Sequence, residues 1–282
     1  MLKPSPMPKP KESRHYSILL LHDADRRFLL QLRPKEEEFL PHHWCFFGGR
    51  VNPGETPVQS LKRNSLSKLN HRSIHPRFVM QSHSAHDAFD ACLYVFVEPK
   101  PVVFSDLKLN DGVNWCWVRA DELETLRMLP VDRDIVNYAD KWIQAGPERH
   151  ASVVIPYDSN GRFLLQHREE NHRRFGGKWA FFGGGVEPGE TPLQAAKREM
   201  MEELEYPIKK PELVMETTFQ HDNSRSVLHV FAVPYHNEPL TIHEGQGMGW
   251  YAPEDLHALD MLRHDRDIFS YVHHWLETKR SS

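Results

Sequence analysis

Glu199, Glu202 and Glu203 stand at i, i+3 and i+4, a spacing that places three carboxylates on one face of a helix. Carboxylates so close repel one another by about a few tenths of a kcal/mol per pair. A hard divalent cation supplies the missing positive charge, and carboxylate oxygens are the ligands Mg²⁺ prefers. Upstream, Gly183-Gly184-Gly185 lets the backbone approach closely, so a main-chain carbonyl at Gly184 can join such a coordination. Arg198 and Glu190 are expected to pair across the loop–helix junction and fix it. A lone Glu-Glu run on a helix is usually a solvated face. Six fixed residues at set spacing are another matter, with a chance match on the order of 10⁻⁵.

From Gly184 the chain runs five residues to Glu190, seven more to Arg198-Glu199-Met200, and one more to Glu202-Glu203. This pattern resembles the Nudix box, in which a glycine loop and a Glu-rich helix bind divalent metal against a pyrophosphate. The resemblance implies Mg²⁺ or Mn²⁺ held by Gly184, Glu199, Glu202 and Glu203, and a pyrophosphate attacked by water with a Glu assisting as base. The pattern departs at its end, where Glu205 replaces the family's closing glycine and Met200 and Tyr206 take its bulky aliphatic positions. Those changes bear on the helix end and its packing, not on the metal ligands. By the same resemblance Glu244, in Glu244-Gly245-Gln246, is a candidate ligand or base reaching in from a loop. The plainer alternative is an exposed loop acid.

Alternation puts Arg162, Gln166 and Arg168 on one face of a predicted strand, and Phe163 and Leu165 on the other. In many Nudix proteins basic residues on the corresponding strand touch phosphate or base, and Arg suits a bidentate phosphate contact. An exposed strand face is the competing reading. Arg173-Arg174 are candidates to clamp phosphates from a loop, and Phe175 and Trp179 offer rings that can stack on a base. Trp44 matches Trp179 in the repeat described next, which points instead to shared core packing.

The elements that position these residues occur twice. Arg27–Leu69 aligns without a gap on Arg162–Leu204, 21 of the 43 positions being identical. Further on, Asp132-Arg133-Asp134-Ile135 and Trp142 match Asp265-Arg266-Asp267-Ile268 and Trp275, at an offset shorter by two residues; the extra pair is expected between Val97 and Asp111. A repeat this long means tandem domains rather than a solenoid. The boundary is expected near Gln144–Glu148, where Ala145-Gly146-Pro147 breaks a helix, giving domains 1–145 and 146–282.

Within the second copy, Ala151–Pro156 and Arg162–Gln166 read as a hairpin, Trp179–Phe182 and Val227–Val233 as strands, and Thr191–Leu204 as a helix. That helix carries Leu193, Ala196, Met200 and Leu204 at helical spacing, and a second apolar stripe from Ile268 to Leu276 makes a C-terminal helix. The fold class is α/β with a mixed sheet, as two tandem Nudix-like α/β/α sandwiches. Asp132 and Asp265 read as structural helix openings.

The copies are unequal. Glu199, Glu202 and Glu203 are matched in the first copy by Asn64, Ser67 and Lys68, while Gly49, Glu55 and Arg63 are kept. A Lys at a ligand position repels a cation, so the first domain is expected to be metal-free at that helix and catalytically silent. It would then serve in domain packing, dimer contact or nucleotide binding without hydrolysis.

The chain of 282 residues is 39% hydrophobic and 26% charged, enough apolar side chain for two cores and unlike a disordered chain. Apolar runs such as Ile18–Leu21 fall far short of the roughly 20 residues of a membrane span, and Ile18–Leu21 is also too short for a signal-peptide core, so the protein is expected to be soluble and cytoplasmic. A net charge of −4 offers no field for nucleic acid. Protonating all 19 His would carry it to +15, although their scatter reads as a His-rich surface. Cys45, Cys92 and Cys116 lack metal spacing and read as reduced thiols. The expected partner is a nucleotide-type small molecule, with homodimer formation left open. Two functions compete: a Mg²⁺-dependent pyrophosphohydrolase acting through the second domain, and a nucleotide sensor or scaffold in which neither half is catalytic.

Overall fold

A computed structural model describes residues 12–37, 40–73, 75–85, 89–108, 114–144, 148–172, 175–221 and 224–280. Its first half contains β1 (Glu12–Leu20), β2 (Phe28–Leu32), β3 (Trp44–Cys45), β4 (Phe47–Arg50), α1 (Pro57–Leu69), β5 (Arg77–Ala85), β6 (Phe89–Val97), β7 (Trp115–Val118) and α2 (Pro130–Gln144). The second repeats the series as β8 (Glu148–Tyr157), β9 (Phe163–His167), β10 (Trp179–Ala180), β11 (Phe182–Gly185), α3 (Pro192–Leu204), β12 (Glu212–His221), β13 (Ser224–Pro234), β14 (Gly247–Tyr251) and α4 (Arg263–Arg280).

In the second half β8 runs parallel to β13 and antiparallel to β11, and β12 closes on β13, so the sheet is mixed. The side chains then sort by the period of two that a pleated strand imposes. Val154, Leu164 and Phe182 pack with Ala196, Met200 and Leu204 of α3. Their sequence neighbours Ile155, Phe163, Leu165 and Phe181 pack with Ile268, Phe269 and Val272 of α4. The sheet is therefore sandwiched between two helices. The first half repeats this, with Ile18, Leu20, Phe28 and Leu30 facing α2 and Leu19, Leu21 and Leu29 facing α1. A bulge recurs at the same repeat position, between Phe78 and Met80 in β5 and between Leu213 and Met215 in β12.

The halves are joined as well as repeated. β12 pairs in parallel with β5 at Thr217 and Phe78, which makes one sheet along β10-β9-β8-β13-β12-β5-β6-β1-β4, with β11 on β8 and β14 on β9, while β3-β2-β7 form a separate sheet. The core under α4 is continuous with the core under α1, and Tyr271 stands edge-on to Phe78, Tyr94 and Phe96 across the joint.

Three readings change in detail. Trp179–Phe182 is two strands, because Trp179–Ala180 pairs with β9 whereas the chain from Phe182 pairs with β8. Leu193 is exposed, and Ala195 is buried in its stead. Asp132 and Asp265 sit inside the first turns of helices that begin at Pro130 and Arg263 and do not cap them. The residues of the interdomain break, 145–147, lie outside the described residues, as do Asp111 and its neighbours in the longer loop. The three cysteines are free, and burial pushes Cys45 up to about 11 and Cys92 up to about 12. Among the described residues no helix is long and apolar enough to cross a membrane.

Candidate active site

α3 is set by its own start signals. The Thr191 side chain accepts from the Gln194 N–H while the Gln194 side chain accepts from the Thr191 N–H, a reciprocal cap with Pro192 in the first turn. The helix ends at Glu205 in the left-handed region (φ +50°), the conformation for which the family pattern has glycine. Burial of Ala196, Met200 and Leu204 turns Glu199 and Glu203 toward the glycines of β11. The approach is close enough to require glycine: a Cβ on Gly184 would stand 2.6 Å from Oε1 of Glu199. Gly183 has φ +120°, and a Cβ there would meet the Ser152 carbonyl oxygen at 2.1 Å.

The three glutamates are not equivalent. Glu203 is 3% exposed and accepts from the Gly183 N–H and the Gln166 amide, both at 3.2 Å. Burial, with the charges of Glu199 and Glu244 added, pushes its carboxyl up to about 8. Burial also raises Glu199. Glu202 is instead 56% exposed and turned outward, because Arg198 Nη1 donates to it at 2.9 Å and to Glu199 at 2.7 Å. Arg198 also donates to both carboxylate oxygens of Glu190 at 3.1 Å and to the Gly185 carbonyl at 2.9 Å. The expected Arg198–Glu190 pair is thus present, and the same guanidinium holds two further box residues.

No ready-made cage of three or more carboxylate, imidazole or thiolate donors stands among the described residues, and Arg198 holds two of the candidate ligands, Glu199 and Glu202. The donor chemistry still fits a hard divalent cation. Glu203 is enclosed, meets two neutral donors, and is raised by its own burial and by two neighbouring carboxylates. A cation beside it would relieve that excess of negative charge.

A cavity of about 770 Å³ opens over this helix face and is walled by Gly184, Glu199, Glu203, Arg168, Trp179 and Glu244, among others. The loop carrying Glu244 is pinned to β9 by the Gln246 N–H, which donates to the His167 carbonyl at 2.8 Å. Arg168 lies in the wall with Nη1 at 3.1 Å from Nε2 of His172. Gln166 faces the cavity too, but it is buried and its amide serves Glu203. Trp179 contributes to the wall while stacking on His167 (4.7 Å, 9°) and meeting Tyr251 edge-on, which agrees with its core-packing counterpart Trp44. Arg162 is a correction. It lies outside the cavity wall, bound to Asp158 at 2.7–2.8 Å at the hairpin turn, as Arg27 is bound to Asp23 in the first half. Arg174, the other phosphate candidate, lies outside the described residues.

Sequence reasoning missed His150, Phe219 and His264, which also line the cavity. Phe219 stands edge-on to Phe175 at 5.8 Å and lies beside His264 at 5.1 Å. His150 has an identical counterpart in His15, a repeat match that carried no spaced motif; Phe219 and His264 have no such counterpart, and only the packing of β8, β12 and α4 brings the three together.

In the first half, Asn64 fills the place of Glu199: its Oδ1 would stand 2.3 Å from a Cβ on Gly49, and its amide donates back to the Ser60 carbonyl. Glu55 and Arg63 keep their pair at 2.7 Å. His15, the counterpart of His150, is covered by the stacked ring of His274 from α4 at 5.0 Å.

The NUDIX domain family model matches twice, over residues 12–139 and 146–272. The chain is 30% identical over 135 residues to the nucleoside triphosphatase NudI of Enterobacter sp. (strain 638), covering 43% of this chain and 96% of that protein. It is 35% identical over 105 residues to the CTP pyrophosphohydrolase of Escherichia coli K12, covering 36% and 76%. Among solved structures, the MutT protein of Methanosarcina mazei Go1 aligns with a TM-score of 0.42 at 24% identity, over 48% of this chain and 95% of that one. With both halves matched by the model, the chain belongs to the Nudix hydrolase family and carries two Nudix domains in tandem.

Proposed function

We propose that the second Nudix domain hydrolyses a pyrophosphate bond in a nucleoside diphosphate linked to another group, and that the first domain is catalytically silent. The linked group can be a phosphate, as in a nucleoside triphosphate, a second nucleotide or a sugar. The observation that carries the reading is the enclosed Glu203 on the Gly183 N–H, with Glu199 packed over Gly184, where the first copy holds Lys68 and Asn64. The nucleoside triphosphatase and CTP pyrophosphohydrolase among its relatives support a nucleotide substrate.

Glu199, Glu203, the Gly184 carbonyl, and Glu202 once released by Arg198 are the groups to hold the metal, with Glu244 close by. Mg²⁺ or Mn²⁺, when bound, supplies positive charge against the pyrophosphate oxygens. Arg168 stands in the wall to bind a phosphate oxygen. Water attacks phosphorus, the bridging P–O bond breaks toward the leaving phosphate, and a glutamate of the set accepts the proton of the attacking water. Arg198 and Glu190 hold the loop and helix in register and touch no substrate. The three free thiols are in keeping with a cytoplasmic setting. The test is a panel of nucleoside di- and triphosphate derivatives with Mg²⁺ or Mn²⁺, beside Glu199→Gln and Glu203→Gln. Turnover that both variants abolish is the expected result. No turnover of any compound, or metal-independent nucleotide binding without hydrolysis, returns the protein to the sensor class.

A further inference from the structure

Among the described residues the first domain contributes none to the cavity wall, yet two of its residues are tied to the wall through adjacent positions of β12. Thr217 is fully buried at the strand joint, and its hydroxyl donates to the Phe78 carbonyl of the first domain at 2.8 Å. With its hydrogen so used, the Thr217 oxygen accepts from Nε2 of His264 at 3.3 Å. That assignment leaves Nδ1 as the second polar atom of the His264 ring, 3.8 Å from the Asp265 carboxylate and beside Phe219 in the cavity wall. One residue earlier, Glu216 is bound by Arg77 of the first domain and accepts from Nδ1 of His229 at 2.9 Å. His229 Nε2 in turn meets Nδ1 of His150 at 2.9 Å, and His150 lines the same cavity.

α4 repeats the pattern. Its first turn brings His264 and Asp265 to the cavity, while further along the helix Tyr271 and His274 rest on Tyr94 and His15 of the first domain. The His15 ring is where the first copy's own cavity wall would be. The two ties from the first domain through β12 thus end on His264 of α4 and His150 of β8 in the cavity wall.

We propose that the first domain acts as a positioning element for the second, fixing His264 and His150 through Phe78–Thr217 and Arg77–Glu216–His229 so that they bind the nucleoside part of the substrate. The chemistry selected is a hydrogen-bond donor, a sugar hydroxyl or an exocyclic amino group, presented to the paired His264 imidazole and Asp265 carboxylate beside the Phe219 ring. The proposal rests on the reading of the second domain as the catalytic one. It assigns a purpose to the degenerate copy that needs neither metal nor substrate in it. Thr217, Glu216 and His229 are positioning residues, acting through the two cavity histidines.

The test uses the full chain and two readouts. Thr217→Val keeps shape but removes the hydroxyl, and Arg77→Met removes the other tie. Each is expected to raise KM for a nucleoside triphosphate about five- to tenfold, the worth of one net hydrogen bond, with kcat changed less than about twofold. Thr217→Ser, which restores the hydroxyl, returns KM to within about twofold of the parent. Calorimetric titration with CMP, which has sugar and amino group but no pyrophosphate to hydrolyse, is expected to weaken by the same factor. CMP binding that is unchanged in both variants, or kcat falling in step with kcat/KM at constant KM, overturns the proposal, as does a parent protein that binds no CMP. Thr217-dependent CMP binding in a protein that turns over no nucleotide supports it while removing the hydrolase reading.

Discussion

The backbone N–H of Gly183 donates to the carboxylate of Glu203 at 3.2 Å, so a strand and a helix of the second domain meet through one hydrogen bond at the centre of the site. The strand reaches that position only as glycine. Its φ of +120° is a conformation side chains rarely adopt, and a Cβ would press on the Ser152 carbonyl oxygen at 2.1 Å, a backbone atom of β8 with little room to yield. Gly183→Ala is therefore expected to destabilise the protein by about 2–4 kcal/mol in urea unfolding. Gly185→Ala, two residues on, meets no atom within 4 Å and is expected to shift stability by less than about 0.5 kcal/mol. Equal losses at the two positions would show that the clash at Ser152 is not the cause.

Removing the Glu203 charge tests the chemistry apart from the fold. Glu203→Gln keeps a side chain of the same length, and kcat/KM is expected to fall by about 10² or more, with an unchanged circular dichroism spectrum. Lys68→Met, at the matching position of the first copy, is expected to leave turnover as it was. A comparable loss in both variants would mean that the two copies share the reaction.

Much of this site is legible in the chain because its determinants are local. Thr191 and Gln194 announce the helix start, the spacing of Ala196, Met200 and Leu204 gives the buried face, and the glycines mark a close approach that Glu199 and Glu203 fill. What spacing does not convey is competition. Arg198 holds Glu202 on the outer face, and Asp158 holds Arg162 at the hairpin turn, outside the cavity wall. β12 is unread for a related reason. Glu216, Thr217 and Thr218 interrupt the apolar pattern that marks a buried strand, and the partners of the first two, Arg77 and the Phe78 carbonyl, come from the other half of the chain. The cavity histidines depend on that same long-range packing.

Glu205 ends α3 in the left-handed region at φ +50°, where an L side chain is strained and glycine is not. Its only compensation among the described residues is the contact of its carboxylate with His243 Nε2 at 2.8 Å, between two exposed side chains. Glu205→Gly is expected to raise stability by about 0.5–1 kcal/mol, seen as a higher thermal midpoint. A lower midpoint would assign the His243 contact more weight than an exposed pair normally has.

Glu216 makes the interdomain joint sensitive to acid. The hydrogen bond from His229, with the nearby charges of Arg77 and His75, lowers its carboxyl to about 2. The folded state thus holds the ionised form more tightly than the unfolded chain, whose glutamates titrate near 4.5. The resulting stabilisation is fully present above about pH 4.5 and is lost as pH falls toward 2. Its size is about 2–3 kcal/mol. Glu216→Gln is expected to lose that amount at pH 7 and to converge on the parent near pH 2, as measured by urea midpoints across the range.

Asp132 has the opposite sign. It is 7% exposed in the first turn of α2, and burial alone pushes its carboxyl up to about 7. Below about pH 4 the group is protonated in both states and costs nothing. Between about 4 and 7 the unfolded chain gives up the proton while the folded protein keeps it, so stability declines as pH rises. Above 7 the folded state carries the buried charge too, and the penalty stays constant. Asp132→Asn removes the charge and keeps the shape. Relative to the parent it is expected to gain nothing at pH 4 and about 2–4 kcal/mol at pH 8. Urea midpoints at those two pH values decide it: an equal gain at both would trace the effect to packing rather than to the buried carboxylate.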